Sequence, residues 1–81
     1  MVTPEQCRAA RGLLGWSQGE LAEKAAVGIV TVRHIEAGTH VPRRATLDVI
    51  RRSLEAAGVE FIDENGGGPG VRLRNRQQKK R

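Results

Sequence analysis

The sequence is poor in large aromatic side chains and in cysteine, and both shortages narrow the kinds of protein it can encode. Trp16 and Phe61 are the only aromatic residues besides histidine among 81 residues, and there is no tyrosine. Aliphatic side chains and alanine must therefore supply the buried surface, which favours closely packed helices. Cys7 is the only cysteine, so no disulfide can form within the chain. No cluster of cysteine and histidine has the spacing of a structural zinc site.

Long apolar runs and the motifs of catalysis are also missing. No stretch approaches the roughly 20 apolar residues that span a bilayer, and residues 1–12 lack the apolar core of a signal peptide. We therefore expect a cytoplasmic protein without membrane contact. There is no nucleophile–base set, no pair of carboxylates in an evident cleft and no cofactor motif, and the glycine-rich residues 66–70 lack the signature of a phosphate-binding loop. We expect neither an enzyme nor a bound cofactor or metal.

The positive charge of the chain is concentrated at its C-terminus. A chain of 81 residues has room for one small domain, and its net charge is +5. Residues 72–81 contain six basic side chains and no acidic one, which leaves eight basic and nine acidic side chains, a net charge of −1, in residues 1–71. Any case for a polyanionic partner must therefore come from the pattern of residues before the tail.

Apolar residues at helical spacing predict the first and last helices of the fold. One helix is expected over residues 4–14, with Thr3 as its N-cap and a proline in its first turn. Another is expected to begin at Thr46 as N-cap and to end at Gly58. The positions expected to face the core in these two helices are Cys7, Ala10, Leu13, Leu14, Leu47, Ile50 and Leu54.

Two further short helices, joined by a tight turn, are predicted between them. Ser17 and Glu20 fit a capping box that begins a helix at residue 18, and this helix continues to about residue 25. A third helix follows over residues 29–37, before Gly38 stops it. Two short helices with a turn of about three or four residues that contains glycine are the signature of a helix-turn-helix motif. The inward positions expected here are Leu21, Ala22, Ala25, Val32 and Ile35.

The period of the pattern changes after residue 58. Residues 59–62 and 71–73 are short β-prone runs on either side of a glycine-rich segment, which predicts a β-hairpin with a long loop. Because an isolated hairpin is marginally stable in water, it must dock on the helices or pair with a second copy of the chain. We therefore divide the chain into a helix-turn-helix DNA-binding domain (1–58), a hairpin that is a candidate dimerisation element (59–74) and a disordered basic tail (75–81).

The helical part resembles the Cro and phage-repressor family, also called the xenobiotic response element family. The resemblance covers roughly residues 5–57 and is carried by Arg11, Leu14, Trp16-Ser17-Gln18, Leu21-Ala22, Val27, Thr31-Val32, Ile35-Glu36-Ala37-Gly38 and Pro42. It implies a mainly α, compact four-helix repressor-like domain, followed here by the hairpin. It also implies a transcriptional regulator, a repressor or autoregulator, that binds a pseudo-palindromic operator on double-stranded DNA as a homodimer.

The resemblance also assigns residues to the DNA surface. In the family, the second helix of the motif enters the major groove and helix N-termini bind phosphates. Unpaired amides and the positive end of the helix dipole both attract phosphate oxygens there. The residues implied to read bases or bind phosphates around these helices are Gln18, Gly28, Ile29, Val30, Thr31, Arg33 and His34. The residues implied to follow the phosphate backbone after the third helix are Thr39, His40, Arg43 and Arg44, although His40 equally fits a solvated loop.

Ile29 and Val30 depart from the family pattern, which commonly has polar residues at these positions. Neither side chain can donate a hydrogen bond, but both can pack on thymine methyl groups, while Arg33 can engage guanine and His34 a purine acceptor. The alternative is that Ile29 and Val30 cover a hydrophobic protein interface. The chain would then be a protein-interaction adaptor or antitoxin-type module with the same fold and a partner protein.

Three residues outside the DNA set have structural interpretations. The resemblance places Arg11 and Glu36 as a partly buried ion pair that ties the first helix to the third, although Arg11 could instead contact DNA. Trp16 is expected on the core or at its rim, with stacking on a base as the alternative. Cys7 is expected to be a small buried apolar residue rather than a redox sensor. The basic tail either follows DNA or stays solvated.

Overall fold

Four helices and one β-hairpin form the fold of the computed structural model, which describes residues 2–63 and 66–74. The elements are α1 (Pro4–Leu14), α2 (Gln18–Ala25), α3 (Ile29–Ala37), α4 (Arg44–Ala56), β1 (Val59–Ile62) and β2 (Gly70–Leu73). The two strands are antiparallel, with Val59 opposite Leu73 and Ile62 opposite Gly70. The mainly α architecture with a C-terminal hairpin is therefore confirmed, while the expected disordered tail lies outside the described residues.

The first two helices begin at capping boxes. The Thr3 hydroxyl accepts a hydrogen bond from the Gln6 amide, and the Gln6 side chain accepts one from the Thr3 amide, both at 3.0 Å. Ser17 and Glu20 exchange the equivalent bonds at 3.0 and 2.8 Å. Each box pairs two of the amides that a helix N-terminus leaves without an intrahelical partner. Both helices start where the sequence pattern placed them.

The turn between α2 and α3 depends on an alanine rather than on its glycine. Ala26 has φ 58° and its amide reaches back to the carbonyls of Ala22 and Glu23, which closes α2. Gly28 has φ −72° and is the N-cap of α3, without a side chain to cap the helix. A left-handed alanine costs roughly 1 kcal/mol of conformational strain, so tertiary packing must hold this turn.

The start of α4 differs from the sequence-based expectation. The helix begins at Arg44 with Arg43 in the extended N-cap position and no side-chain cap, so the prediction of Thr46 as N-cap was wrong. Arginine and alanine are better helix formers than threonine, and the helix extends back through both to the loop that contains Pro42. Thr46 instead lies in the first turn of α4.

The core lies where α1, α2, α3 and α4 meet, and the hairpin closes one side of it. Its fully buried large side chains include Leu21, Val32, Ile50 and Leu54. The inward assignment of Leu13 was wrong, because this side chain is 42 % exposed. Leu13 follows Gln6 by seven residues on nearly the same side of α1. Its exposure shows that the hairpin, which covers Gln6, does not extend that far.

The side chain of Gln6 anchors the hairpin to α1. Its amide nitrogen donates to the carbonyls of Ile62 at 3.2 Å and Gly70 at 2.9 Å, the residues that end β1 and begin β2. On the same hairpin, Val59 and Phe61 are buried in the core. The sequence left open whether the hairpin docks or pairs with a second copy. In the monomer it docks, through one polar anchor and two buried apolar side chains.

Replacement of Gln6 by alanine should lower the free energy of unfolding by about 2 kcal/mol, because three side-chain hydrogen bonds are lost at a buried position. Urea unfolding followed by circular dichroism measures this change. The matched control is Glu20→Ala in the exposed capping box of α2, which should cost about 0.5–1 kcal/mol. Equal losses in the two variants would contradict the anchoring role of Gln6.

Candidate nucleic-acid interface

The carboxylate of Glu36, near the end of α3, is the centre of a polar cluster that joins three helices. Arg11 of α1 binds it through two parallel contacts, Nε to Oε2 at 2.7 Å and Nη2 to Oε1 at 2.9 Å. Gln18, the first residue of α2, donates from Nε2 to Oε1 at 3.0 Å. The thiol of Cys7 donates to Oε2 at 3.3 Å. Together these contacts fix both helices of the motif relative to α1.

Burial and hydrogen bonding act in opposite directions on the charge of Glu36. The residue is only 3 % exposed. Burial raises the pKa of Glu36, but the hydrogen bonds from Arg11, Gln18 and Cys7 outweigh it and hold this pKa below its usual range. Glu36 is therefore ionised at neutral pH, as a carboxylate with four donors should be.

Cys7 is fully buried, as expected for a small apolar residue. Burial, with the nearby Glu36 carboxylate, raises the pKa of the Cys7 thiol to about 12. At neutral pH it therefore stays protonated and serves as a donor within the cluster. A buried thiol of this kind is unreactive, which argues against a redox sensor.

The side chain of Gln18 is part of the polar cluster. Its Nε2 atom donates to the Glu36 carboxylate, which holds the side chain against the end of α3. The main chain at the start of α2 also offers amides without an intrahelical partner, which can bind a phosphate. The phosphate contact that the family resemblance implies for Gln18 stays a prediction.

The outward face of α3 carries the candidate base readers. Val32 and Ile35 are buried against the core, whereas Ile29 is 38 % and Val30 52 % exposed. The remaining candidates around this face are the exposed Gly28, Arg33 and His34 and the half-buried Thr31. Since the hairpin packs on α1 and α4, it leaves this face open. The helix can therefore approach a flat or grooved partner without rearrangement.

The loop between α3 and α4 extends this surface. Thr39, Arg43 and Arg44 are exposed. The rings of His34 and His40 pack edge to face with centroids 4.3 Å apart, beside Thr31 and Arg43 in a groove of about 250 Å³. The structure thus brings Thr31 and His34 of α3 together with His40 and Arg43 of the loop, whereas Arg44 lines a separate pocket with Asp48 and Arg51.

The cations of this surface are available to an anionic partner. In the part of the chain that the structure describes, no carboxylate forms an ion pair with Arg33, Arg43 or Arg44. By contrast, Arg11 is committed to Glu36 and only 21 % exposed, so it is not positioned to bind DNA. Free guanidinium groups beside uncapped helix N-termini are a combination suited to phosphates.

Two other kinds of feature, a membrane span and a metal cluster, are absent from the described residues. Over residues 2–63 and 66–74, no helix is long and apolar enough to cross a membrane. In the same part of the chain, no three side chains of histidine, cysteine, aspartate or glutamate are grouped to hold a metal ion. Trp16 is half-buried against the core, with Lys24 Nζ 6.0 Å from its ring centroid, which is the expected position at the rim.

Comparison with known protein families identifies the helical part of the chain. A protein-family model described as a helix-turn-helix domain matches residues 5–61, well over half of the chain. No curated protein matches the chain. The matched range contains α2, α3 and α4, all of α1 except Pro4 and all of β1 except Ile62, so it includes the whole candidate interface.

Replacement of Arg11 by leucine should lower the free energy of unfolding by about 3 kcal/mol, because the Glu36 carboxylate would remain buried without its cation. Arg72→Leu is the matched control, since the Arg72–Glu60 pair has the same charges at exposed positions and should contribute much less to stability. Thermal or urea unfolding at pH 7 measures both. A loss at Arg11 no greater than at Arg72 would refute the central role of the cluster.

Proposed function

Because the chain belongs to the helix-turn-helix family of the Cro and xenobiotic response element type, we propose that it is a transcriptional regulator that recognises a specific DNA sequence. The observation that carries the proposal is the outward face of α3, where exposed side chains adjoin unpaired arginines. A helix of this kind fits the major groove, and arginines at its edges fit the flanking phosphates. We assign the chain to repression or autoregulation, because a protein bound to its DNA site blocks other proteins from the same site.

Base recognition is assigned to the first turns of α3. Arg33 is a candidate for guanine, and His34 for a purine acceptor. Ile29 and Val30 are the unusual feature, because they present only methyl and methylene groups. We assign them to thymine methyl groups, so that each half-site contains thymines opposite this turn.

Phosphate binding is assigned to the edges of the same surface. The main-chain amides that begin α3 have no side-chain cap, and the capping box of α2 pairs only the amide of Glu20 among those of its first turn. Thr39 and Arg43 in the following loop, and Arg44 at the start of α4, are the side chains assigned to phosphates. Such contacts set the register of the protein on the duplex and carry no sequence information. They are expected to contribute to affinity for any DNA.

Val30→Gln should change which base is preferred, because glutamine pairs with adenine where valine packs on a thymine methyl group. Selection from random duplexes should show loss of the thymine preference, equivalent to about 1–3 kcal/mol at that base pair. The matched control is Arg43→Gln, which should weaken binding to all duplexes alike and lower the salt slope by about one.

Two other results would contradict this assignment. An unchanged selected sequence for Val30→Gln would remove the base contact from that residue. Absence of any salt-dependent binding to duplex DNA by the unmodified chain would instead favour the adaptor or antitoxin-type function, with Ile29 and Val30 in a protein interface.

A homodimer is proposed because one such domain reads only a short half-site. Two copies on a pseudo-palindrome would place their α3 helices about 34 Å apart, one turn of DNA. We propose the hairpin as the interface. Its two strands have only each other as partners in the described sheet, and Ile62 at its end is 39 % exposed. Because Gln6 fixes the hairpin to α1, a dimer formed there would hold the two α3 helices in a defined relation.

Ile62→Lys should weaken the dimer by about tenfold or more, because a charge replaces an apolar side chain in the interface. Sedimentation equilibrium measures the dissociation constant. Leu13→Lys is the matched control, since Leu13 is similarly exposed on α1 and should leave the dimer intact. The reverse pattern, or an equal effect of the two changes, would place the interface away from the hairpin, with α4 as the next candidate.

A further inference from the structure

A second surface feature lies between α2 and α4 and has no role in the proposed DNA contacts. It is an open groove of about 440 Å³ lined by Trp16, Lys24, Arg52, Ser53, Ala56 and Ala57. None of these residues belongs to the candidate DNA set. Arg52 and the alanines lie in the last turns of α4 and just after it, whereas Arg44 at the other end of that helix belongs to the DNA surface. At 1.5 Å per residue these two ends are well over 10 Å apart.

The groove combines an apolar floor with a positive rim. The ring of Trp16 is half-buried and continuous with the core, and Ala56 and Ala57 expose their methyl groups beside it. Lys24 and Arg52 are both exposed, and the lining contains no carboxylate. Neither cation forms an ion pair within residues 2–63 and 66–74. Two unpaired cations that flank an apolar floor are complementary to carboxylates that flank an apolar side chain.

The position of Lys24 favours a peptide over a nucleic acid in this groove. Its Nζ atom lies over the ring of Trp16, 6.0 Å from the centroid, at the outer limit of a cation–π contact. A base that stacked on this ring would have to displace the ammonium group. An aliphatic side chain can instead lie on the alanine methyl groups while its neighbouring carboxylates reach Lys24 and Arg52.

We infer that this groove is a docking site for an acidic segment of a partner protein, in which an apolar side chain lies between carboxylates. The apolar side chain would lie on the methyl groups of Ala56 and Ala57, beside the Trp16 ring, and the carboxylates would pair with the two cations at the rim. Rim charges of this kind mainly select the partner and speed its association. Since the groove is separate from the α3 surface, the partner and DNA can be bound at the same time.

Binding in the groove can be followed by the fluorescence of Trp16, because it is the only tryptophan of the chain. The probe is an acetylated hexapeptide of alternating aspartate and leucine, added to the full-length protein without DNA while the emission of Trp16 is recorded. Saturable change in this emission is expected. A peptide with lysine in place of aspartate, and one with serine in place of leucine, should each bind at least about tenfold more weakly.

Variants locate the contact. Lys24→Gln combined with Arg52→Gln should weaken binding of the acidic peptide by about tenfold. The circular dichroism spectrum should stay unchanged, and the free energy of unfolding should fall only slightly, because both side chains are exposed and the contact of Lys24 with the Trp16 ring is a weak one. Arg43→Gln, on the DNA surface, is the matched control and should leave peptide affinity unchanged. The peptide should also bind the protein when the protein is bound to a DNA duplex. Because peptide binding is measured without DNA as well, a failure to bind DNA and a failure to bind the peptide are separate results.

Four outcomes would overturn the inference. One is an emission that does not respond to the acidic peptide. Another is equal binding of the lysine peptide, which would leave the charges without a role. A third is a change in emission on dilution of the protein alone, which would make a second copy the occupant. The last is tighter binding of single-stranded oligothymidine than of the peptide, which would make the groove a nucleic-acid site.

Discussion

The carboxylate of Glu36 is the constraint on which the rest of the structure depends. Burial of a charge costs several kcal/mol unless it is paired and its lone pairs are satisfied. Here Arg11, Gln18 and Cys7 supply those partners from α1 and α2. Because the partners come from different helices, the charge can be satisfied only when α1, α2 and α3 have their native arrangement. The cluster therefore determines the crossing of the two helices that form the proposed DNA surface.

Gln6 applies the same principle to the hairpin. Its side chain caps α1 through Thr3 and anchors both strand ends, so one residue couples the start of the first helix to the last element of the described fold. Small domains bury a limited apolar area, and so each such polar anchor has a large share in defining the fold. Two side chains, Glu36 and Gln6, thus position the outward face of α3 and the proposed dimerisation element on one scaffold.

Much of this fold could be predicted from local sequence signals. The capping box of Ser17 and Glu20, the stop at Gly38 and the β-prone run over residues 59–62 each act within a few residues, and the structure confirms these elements. The expectations that failed depend on distant contacts or on weak local preferences. Leu13 is exposed because no other element among the described residues covers its side of α1, and the start of α4 was misplaced because several residues there can begin a helix.

The candidate site was predictable in outline but not in its polar detail. The resemblance indicated that Gln18 and Glu36 matter, yet only the folded chain shows that they bind each other. Gln6 could have been singled out, since Thr3 to Gln6 fits a capping box, but nothing local reveals that its amide reaches the carbonyls of Ile62 and Gly70. The groove beside Trp16 likewise depends on residues from α4 that lie more than 30 positions away in the sequence.

The central claim is that the cluster at Glu36 presents the outer face of α3 to double-stranded DNA, and amide NMR tests it most directly. A labelled sample is titrated with a duplex obtained by selection. The account predicts that the largest shifts fall on residues 18–19, 28–34 and 39–44, with little change at Lys24, Arg52 and the hairpin. Shifts confined to the hairpin or to the α2–α4 groove, with α3 unaffected, would contradict it.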